Sequence, residues 1–534
     1  MKMTTAMKYT VILILLVILG CQKQDTVNDF HIMGDLPIGE YPVGFQTIFT
    51  HDLSKNAVPY SDWDGNLSQD HKSEKGRQFQ INVWYPSKPG SGDPMKYADY
   101  VDLMGRQTNF NKSEEQKSFA RQTFVSQTRD LKIIQDPENN AELTTEKLNQ
   151  LLDLDVFARL NAKATEGRYP VVIYPNGGSP AFQSITCEFL ASHGYVAVAF
   201  SPKGRFSSLM ETSTMGLEVA VDDLEFVLGK VSEKSNVDMN QVSILANAIS
   251  SSVGAAALSR NEKFKALISL EGGFISAFEQ RLLNGSAFYQ PENIQAPILF
   301  IYSPHPSIDP KYTSHLKYAD RYYAHFSKMS EFAMLNYGMF DEFIPNIIGE
   351  HSGNTKEGFE TANELVLRFL NQKLKAESGD LFDDSFIASR NHIDSTFILP
   401  GLPAPPNMAV LKDTFVKDGF DAVENIYRQL KSEGNSQPFS MDFYTDYRSW
   451  LAWKKDEDYA YRLRLYKLAY DSYPKSARNN YYVAYYSLKR QSNEQAKRFY
   501  RQALSLFESD EDLSADEKSR LKNYATEELD SLIN

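Results

Sequence analysis

Short apolar runs rich in Val, Ile and Leu alternate along the first 380 residues with stretches of helical spacing. Gln78 to Pro86 alternates polar and apolar residues, which predicts an edge strand stopped by proline. Tyr169 to Pro175 reads as a buried strand running into the turn Asn176-Gly177-Gly178. A helix from Ile185 to His193, a strand from Tyr195 to Phe200 and a helix near Leu217 to Lys230 follow. The run Val242 to Asn247 is a further strand, and a helix of small residues begins at once behind it. Ala266 to Leu270 and Pro297 to Tyr302 add two strands, Phe332 to Tyr337 is predicted as the last core strand, and Glu357 to Leu374 as the closing helix. This alternation predicts an α/β architecture, a mostly parallel sheet with helices on both faces. Residues 100 to 165 are charged, with helical spacing at Leu148, Leu151, Leu152 and Leu154, and read as an insertion or lid.

Residues 378 to 406 read as a linker, because Pro400 to Pro406 can continue neither helix nor sheet. Beyond it, residues 407 to 534 are predicted to be all-helical. Tyr482, Ala484, Leu488, Ala496, Tyr500, Ala503 and Leu504 resemble a tetratricopeptide-type hairpin, and Tyr459 to Pro474 a degenerate preceding unit. Such a domain serves either as a scaffold or as a groove for a protein partner.

The first 20 residues carry Lys2, Lys8 and an apolar run from Val11 to Leu19, too short to span a bilayer and suited to a signal peptide. Ile18-Leu19-Gly20-Cys21 resembles a bacterial lipobox, which implies lipidation at Cys21, export, and a membrane anchor on a tether over residues 21 to 38. With Cys21 acylated only Cys187 remains, so no internal disulfide is expected. The chain of 534 residues has a net charge of −13, which argues against nucleic acid as a partner. No phosphate loop, dinucleotide fingerprint or zinc signature appears, so neither cofactor nor metal is expected.

The transition from Val242-Ser243-Ile244-Leu245-Ala246-Asn247 into Ala248-Ile249-Ser250-Ser251-Ser252 has the form of a nucleophile elbow, the strand–turn–helix that displays a serine. Trp84-Tyr85-Pro86, Asn176-Gly177-Gly178, Leu190 to Val196 and Ala266 to Gly272 add matching motifs in the same order. Residues 39 to 377 therefore resemble the α/β-hydrolases of the dienelactone hydrolase and platelet-activating-factor acetylhydrolase type. The resemblance implies a carboxylic ester hydrolase ancestry and an ester or lipid-like small-molecule ligand.

The elbow does not spell G-x-S-x-G. Registered from Asp238 upstream and from Leu270-Glu271-Gly272 downstream, the nucleophile position falls on Ala248 and the acid position on Glu271. The base position falls on Phe340, and the oxyanion region on Gly177, Gly178 and Ile249. An acyl-transfer triad needs a hydroxyl, an imidazole and an orienting carboxylate. Ala248 and Phe340 supply neither of the first two, which implies a catalytically impaired protein. A rival register with a two-residue bulge makes Ser250 the nucleophile and His351 the base. Ser252 is a third possibility, Ser251 is sterically the poorest, and the plain alternative is that all three cap the helix. His193 reads as part of a helix-end turn, His305, His315 and His325 as surface or structural residues, and Asp309 as a displaced acid at best.

Overall fold

Why the apolar runs become one sheet is visible in their period of two. In a computed structural model, Val171 and Ile173 join one buried cluster, whereas Val172 and Tyr174 join another on the opposite face. The structure describes residues 30–55, 76–105, 110–135, 144–175, 179–205, 209–345, 347, 354–454 and 459–533. The chain divides into two units at Leu399 and Pro400.

The first unit holds an 11-stranded sheet: β1 (Val43–Asp52), β2 (Arg77–Pro86), β3 (Asp93–Lys96), β4 (Asp155–Leu160), β5 (Tyr169–Pro175), β6 (Val196–Phe200), β7 (Val237–Asn247), β8 (Phe264–Leu270), β9 (Ile298–Tyr302), β10 (Arg321–Phe326) and β11 (Ile393–Leu399). The order is β11-β10-β9-β8-β7-β5-β6-β2-β1-β4-β3. Every pair from β6 to β10 is parallel, while β2 runs antiparallel to β6 and β1, and β11 antiparallel to β10. Helices between parallel strands cover both faces, as crossover connections require.

Several expectations need correction. β2 is an interior strand between β1 and β6, buried along its whole length. Its polar residues face other protein groups: Thr47 donates to Asn82 at 3.2 Å, and Arg77 makes a buried ion pair with Asp223 through bonds of 2.8 and 2.6 Å. Of the expected linker, residues 384–388 form a short helix and 393–399 form β11, so this stretch completes the sheet. Phe332 to Tyr337 is not a strand but a helical turn leading into the helix Asn336–Phe343. The last parallel strand is β10, whose tyrosines and histidine mask its apolar face in the sequence. Within the expected tether, Ile32, Met33 and Leu36 are buried in the core. Within the expected insertion, β4 pairs with β1 and is part of the sheet.

The second unit, Pro400–Asn534, shows seven helices among its described residues: Met408–Asp418, Phe420–Ser432, Met441–Trp453, Ala460–Ser472, Ala477–Lys489, Asn493–Leu506 and Ala515–Ile533. Ala484, Ala496 and Ala503 are fully buried beside Tyr481, Tyr486 and Tyr500, so small side chains admit large ones where successive helices pack.

Candidate functional site at the elbow

β7 ends at Asn247 and the next helix, Ser250–Arg260, begins three residues later. The turn between them is made by Ala248, whose φ is 46°. A left-handed backbone on a residue with a Cβ costs roughly 1–2 kcal/mol, so surrounding contacts must hold it there. They do: the Ala248 N–H donates to the Leu270 carbonyl at the end of β8 (2.9 Å), and its own carbonyl accepts from Ser251 N–H (2.9 Å). The Ala248 methyl group stands at the tip, half-buried.

The neighbouring strand repeats this geometry. Glu271 follows β8 directly with a φ of 52°, and Gly273 has a φ of 53°. A Cβ on Gly273 would stand 2.3 Å from the Ser251 Cβ and 2.9 Å from the Ala248 carbonyl oxygen. Glycine is thus what lets the two turns pack together at the carboxyl edge of the sheet, where open α/β sheets place their ligands.

Glu271 is buried, and its Oε1 accepts a hydrogen bond from Ser303 Oγ, which stands just past the end of β9. Burial pushes the Glu271 carboxyl up to about 7; the Ser303 bond opposes this and the Glu331 charge adds to it. Burial also raises Glu279 and Glu331, and the His305 imidazole acts on both in the lowering direction. His305 itself is exposed, with Nδ1 2.6 Å from Ser307 Oγ. Ser303, Glu279 and Glu331 are absent from the sequence reading; a polar residue immediately after an apolar strand is the one signal that marks Ser303.

The other candidates are distributed as follows. Phe340 is buried in the helix Asn336–Phe343, with its ring edge-on to Tyr97 at 5.0 Å and to Tyr337 at 6.4 Å. It belongs to an apolar layer over the short helix Tyr97–Val101, and its ring contacts are with that layer rather than with Glu271. Ile249 is the N-cap of the elbow helix and gives no side-chain cap. Ser250 is 4% exposed, and Ser251 and Ser252 are fully buried with hydroxyls that have no hydrogen-bond partner among the described residues. The amide nitrogen of Asn247, buried at the end of β7, likewise has none among them. Cys21, Gly177, Gly178 and His351 lie outside the described residues.

His193 bonds the Phe189 carbonyl at 2.9 Å, His315 the Tyr289 hydroxyl at 2.5 Å, and His325 pairs with Asp394 at 3.1 Å. Asp309 caps a helical turn through Lys311 N–H. Among the described residues no cluster of His, Cys, Asp and Glu has the form of a metal site.

What makes this first unit an α/β-hydrolase fold is the mostly parallel sheet with its strand–turn–helix elbow, to which an all-helical unit is appended. No protein-family model and no curated protein matches the chain. Among solved structures it is similar to a ferulic acid esterase from Streptomyces cinnamoneus, with 16% identity, 65% of this chain and 95% of that one covered, and a TM-score of 0.45. An acylaminoacyl peptidase from Pyrococcus horikoshii has 18% identity over 41% of this chain and 40% of its own, with a TM-score of 0.31. A dipeptidyl aminopeptidase IV-type protein from Bacteroides ovatus has 11% identity over 62% and 36%, with a TM-score of 0.33.

Proposed function

We propose that this chain is a catalytically impaired α/β-hydrolase that binds an ester or lipid-like small molecule at the carboxyl edge of its sheet. The supporting observation is Ala248 at the left-handed tip between β7 and its helix, where the fold displays its nucleophile. A methyl group cannot attack a carbonyl. Glu271 would stand at the acid position, where burial raises its carboxyl to about 7 and, among the described residues, no cation opposes that rise. With Phe340 at the base position, that position supplies no imidazole to accept a proton. What such a site retains is binding and backbone polarisation, worth ~10³–10⁴ over water by triad-knockout precedent.

Turnover of a short-chain aryl ester tests this. The parent is expected to show no burst and a steady turnover of at most ~10³–10⁴ over the uncatalysed rate, and Ser250→Ala to be indistinguishable from it. A burst in the parent that Ser250→Ala removes would establish a working hydrolase with a shifted serine.

The same proposal places the protein outside the cytoplasm, anchored by a lipid on Cys21. Replacing Cys21 by Ser should abolish fatty-acid incorporation and leave an unprocessed precursor; equal labelling of variant and parent would end this reading.

A further inference from the structure

Two helices of the second unit face each other across a charged groove. Glu424, Tyr427, Arg428 and Lys431 are spaced so that they share one face of the helix Phe420–Ser432. Arg464, Lys467, Leu468 and Asp471 repeat that spacing on the helix Ala460–Ser472. Contacts run from Glu424 and Arg464 at one end to Lys431 and Asp471 at the other, so the two helices are parallel here. These residues and Ser432 line an open groove of about 450 Å³, a volume within the range of small-molecule sites. Arg428 and Lys467, one on each wall, are exposed to solvent.

The lining is unbalanced. It carries four cations against two carboxylates, a surplus of two, on a chain whose net charge is −13. Both carboxylates are already engaged. Glu424 accepts from Arg464 Nε at 2.9 Å, and Arg428 adds a contact of 3.3 Å with its side chain 70% exposed. Asp471 is held by Lys431 and by the Tyr427 hydroxyl, which donates to it at 2.8 Å. Asp421 also pairs with Arg464, from outside the groove. Lys467 has no ion pair or hydrogen bond among the described residues. Most of the Arg428 fork and all three Lys467 donors are therefore open to a ligand. A phosphate monoester carries close to two negative charges at neutral pH and three acceptor oxygens, which matches the surplus. Its tetrahedral oxygens reach donors on two walls at once, whereas a planar carboxylate suits a single fork. The groove is larger than one phosphate group, and its floor at Leu468 and Tyr427 offers apolar surface to the organic part.

We propose that this groove binds a small phosphate monoester, its phosphate held between Arg428 and Lys467. The inference is independent of the elbow: either can fail without the other.

The test titrates the full chain into phenyl phosphate in a low-salt, phosphate-free buffer and follows the ligand by phosphorus NMR. Saturable one-to-one binding is expected, with a Kd below about 1 mM. Lys467→Gln should weaken it on the order of tenfold, since a charge-assisted bond is lost, and leave the melting temperature unchanged, since that lysine holds nothing in the free protein. Arg428→Gln should weaken it comparably. Lys412→Gln, on another helix of the same unit and outside the groove, should leave affinity as in the parent. Equal losses for Lys412→Gln and Lys467→Gln would show unspecific attraction to positive charge and overturn the proposal. So would the absence of saturation up to millimolar protein. Benzoate displacing phenyl phosphate at equal molar concentration would refute the phosphate assignment, and inorganic phosphate binding as tightly as phenyl phosphate would refute the ester.

Discussion

Replacing Glu271 by Gln should stabilise this protein, and increasingly so as the pH rises. The carboxyl is 7% exposed, bonded to Ser303 and raised by burial to about 7, against roughly 4.3 for an unfolded glutamate. Because the folded-state value is the higher one, the native state holds the proton more tightly than the unfolded chain. Stability from this group is fully present below the unfolded value and is lost as pH climbs from about 4.3 to about 7. Above that the loss is constant. At about 1.4 kcal/mol per pH unit the limit is on the order of 3–4 kcal/mol, with about 1 kcal/mol already lost at pH 5. Glutamine keeps the shape, accepts from Ser303 Oγ and does not ionise. Urea melts of parent and variant at pH 5, 6.5 and 8 should therefore diverge, the variant gaining about 2–3 kcal/mol on the parent between the extremes. Other buried carboxyls, such as Glu188, titrate equally in both proteins and cancel in the difference. A constant difference across pH would refute the reasoning. A variant less stable than the parent at pH 8 would show instead a cation beside Glu271 that holds it ionised, and hence a more complete catalytic site.

Ala248→Gly should raise stability by about 0.5–1 kcal/mol by relieving the left-handed tip, partly offset by greater freedom in the unfolded chain; a drop in the urea midpoint would mean that the methyl packs against an essential partner. A chain stopped after Leu399 should remain soluble and melt cooperatively, whereas one stopped after His392 should aggregate, since it loses β11 and the Phe397 ring stacked on Tyr323 at 4.4 Å; equal behaviour of the two would show that β11 contributes nothing to the sheet.

Much of the α/β layout is legible in the sequence because the interior strands are buried on both faces. Their runs, such as Val196 to Phe200, are therefore continuously apolar. The strand-to-helix transition at the elbow is legible for a related reason: a β-branched run gives way abruptly to Ala, Ser and Gly. β10 is not, because Arg321-Tyr322-Tyr323-Ala324-His325-Phe326 packs its tyrosine rings while keeping polar tips. β2 misleads in the opposite sense. Its glutamines and asparagine suggest a solvent face, yet they lie in a buried polar seam. β11 hides between helix breakers and exposes most of its residues, as a sheet edge does. The pairing of Glu271 with Ser303 joins residues 32 positions apart. It depends on β8 and β9 being neighbours, which no local pattern encodes.

The most direct measurement is the intact mass of the purified full chain after prolonged incubation with a fluorophosphonate, which labels only a serine activated as a nucleophile. With Ala248 at the elbow tip, the mass should be unchanged, and Ser250→Ala should give the same result. A stoichiometric adduct on Ser250 in the parent, absent from Ser250→Ala, would contradict the account.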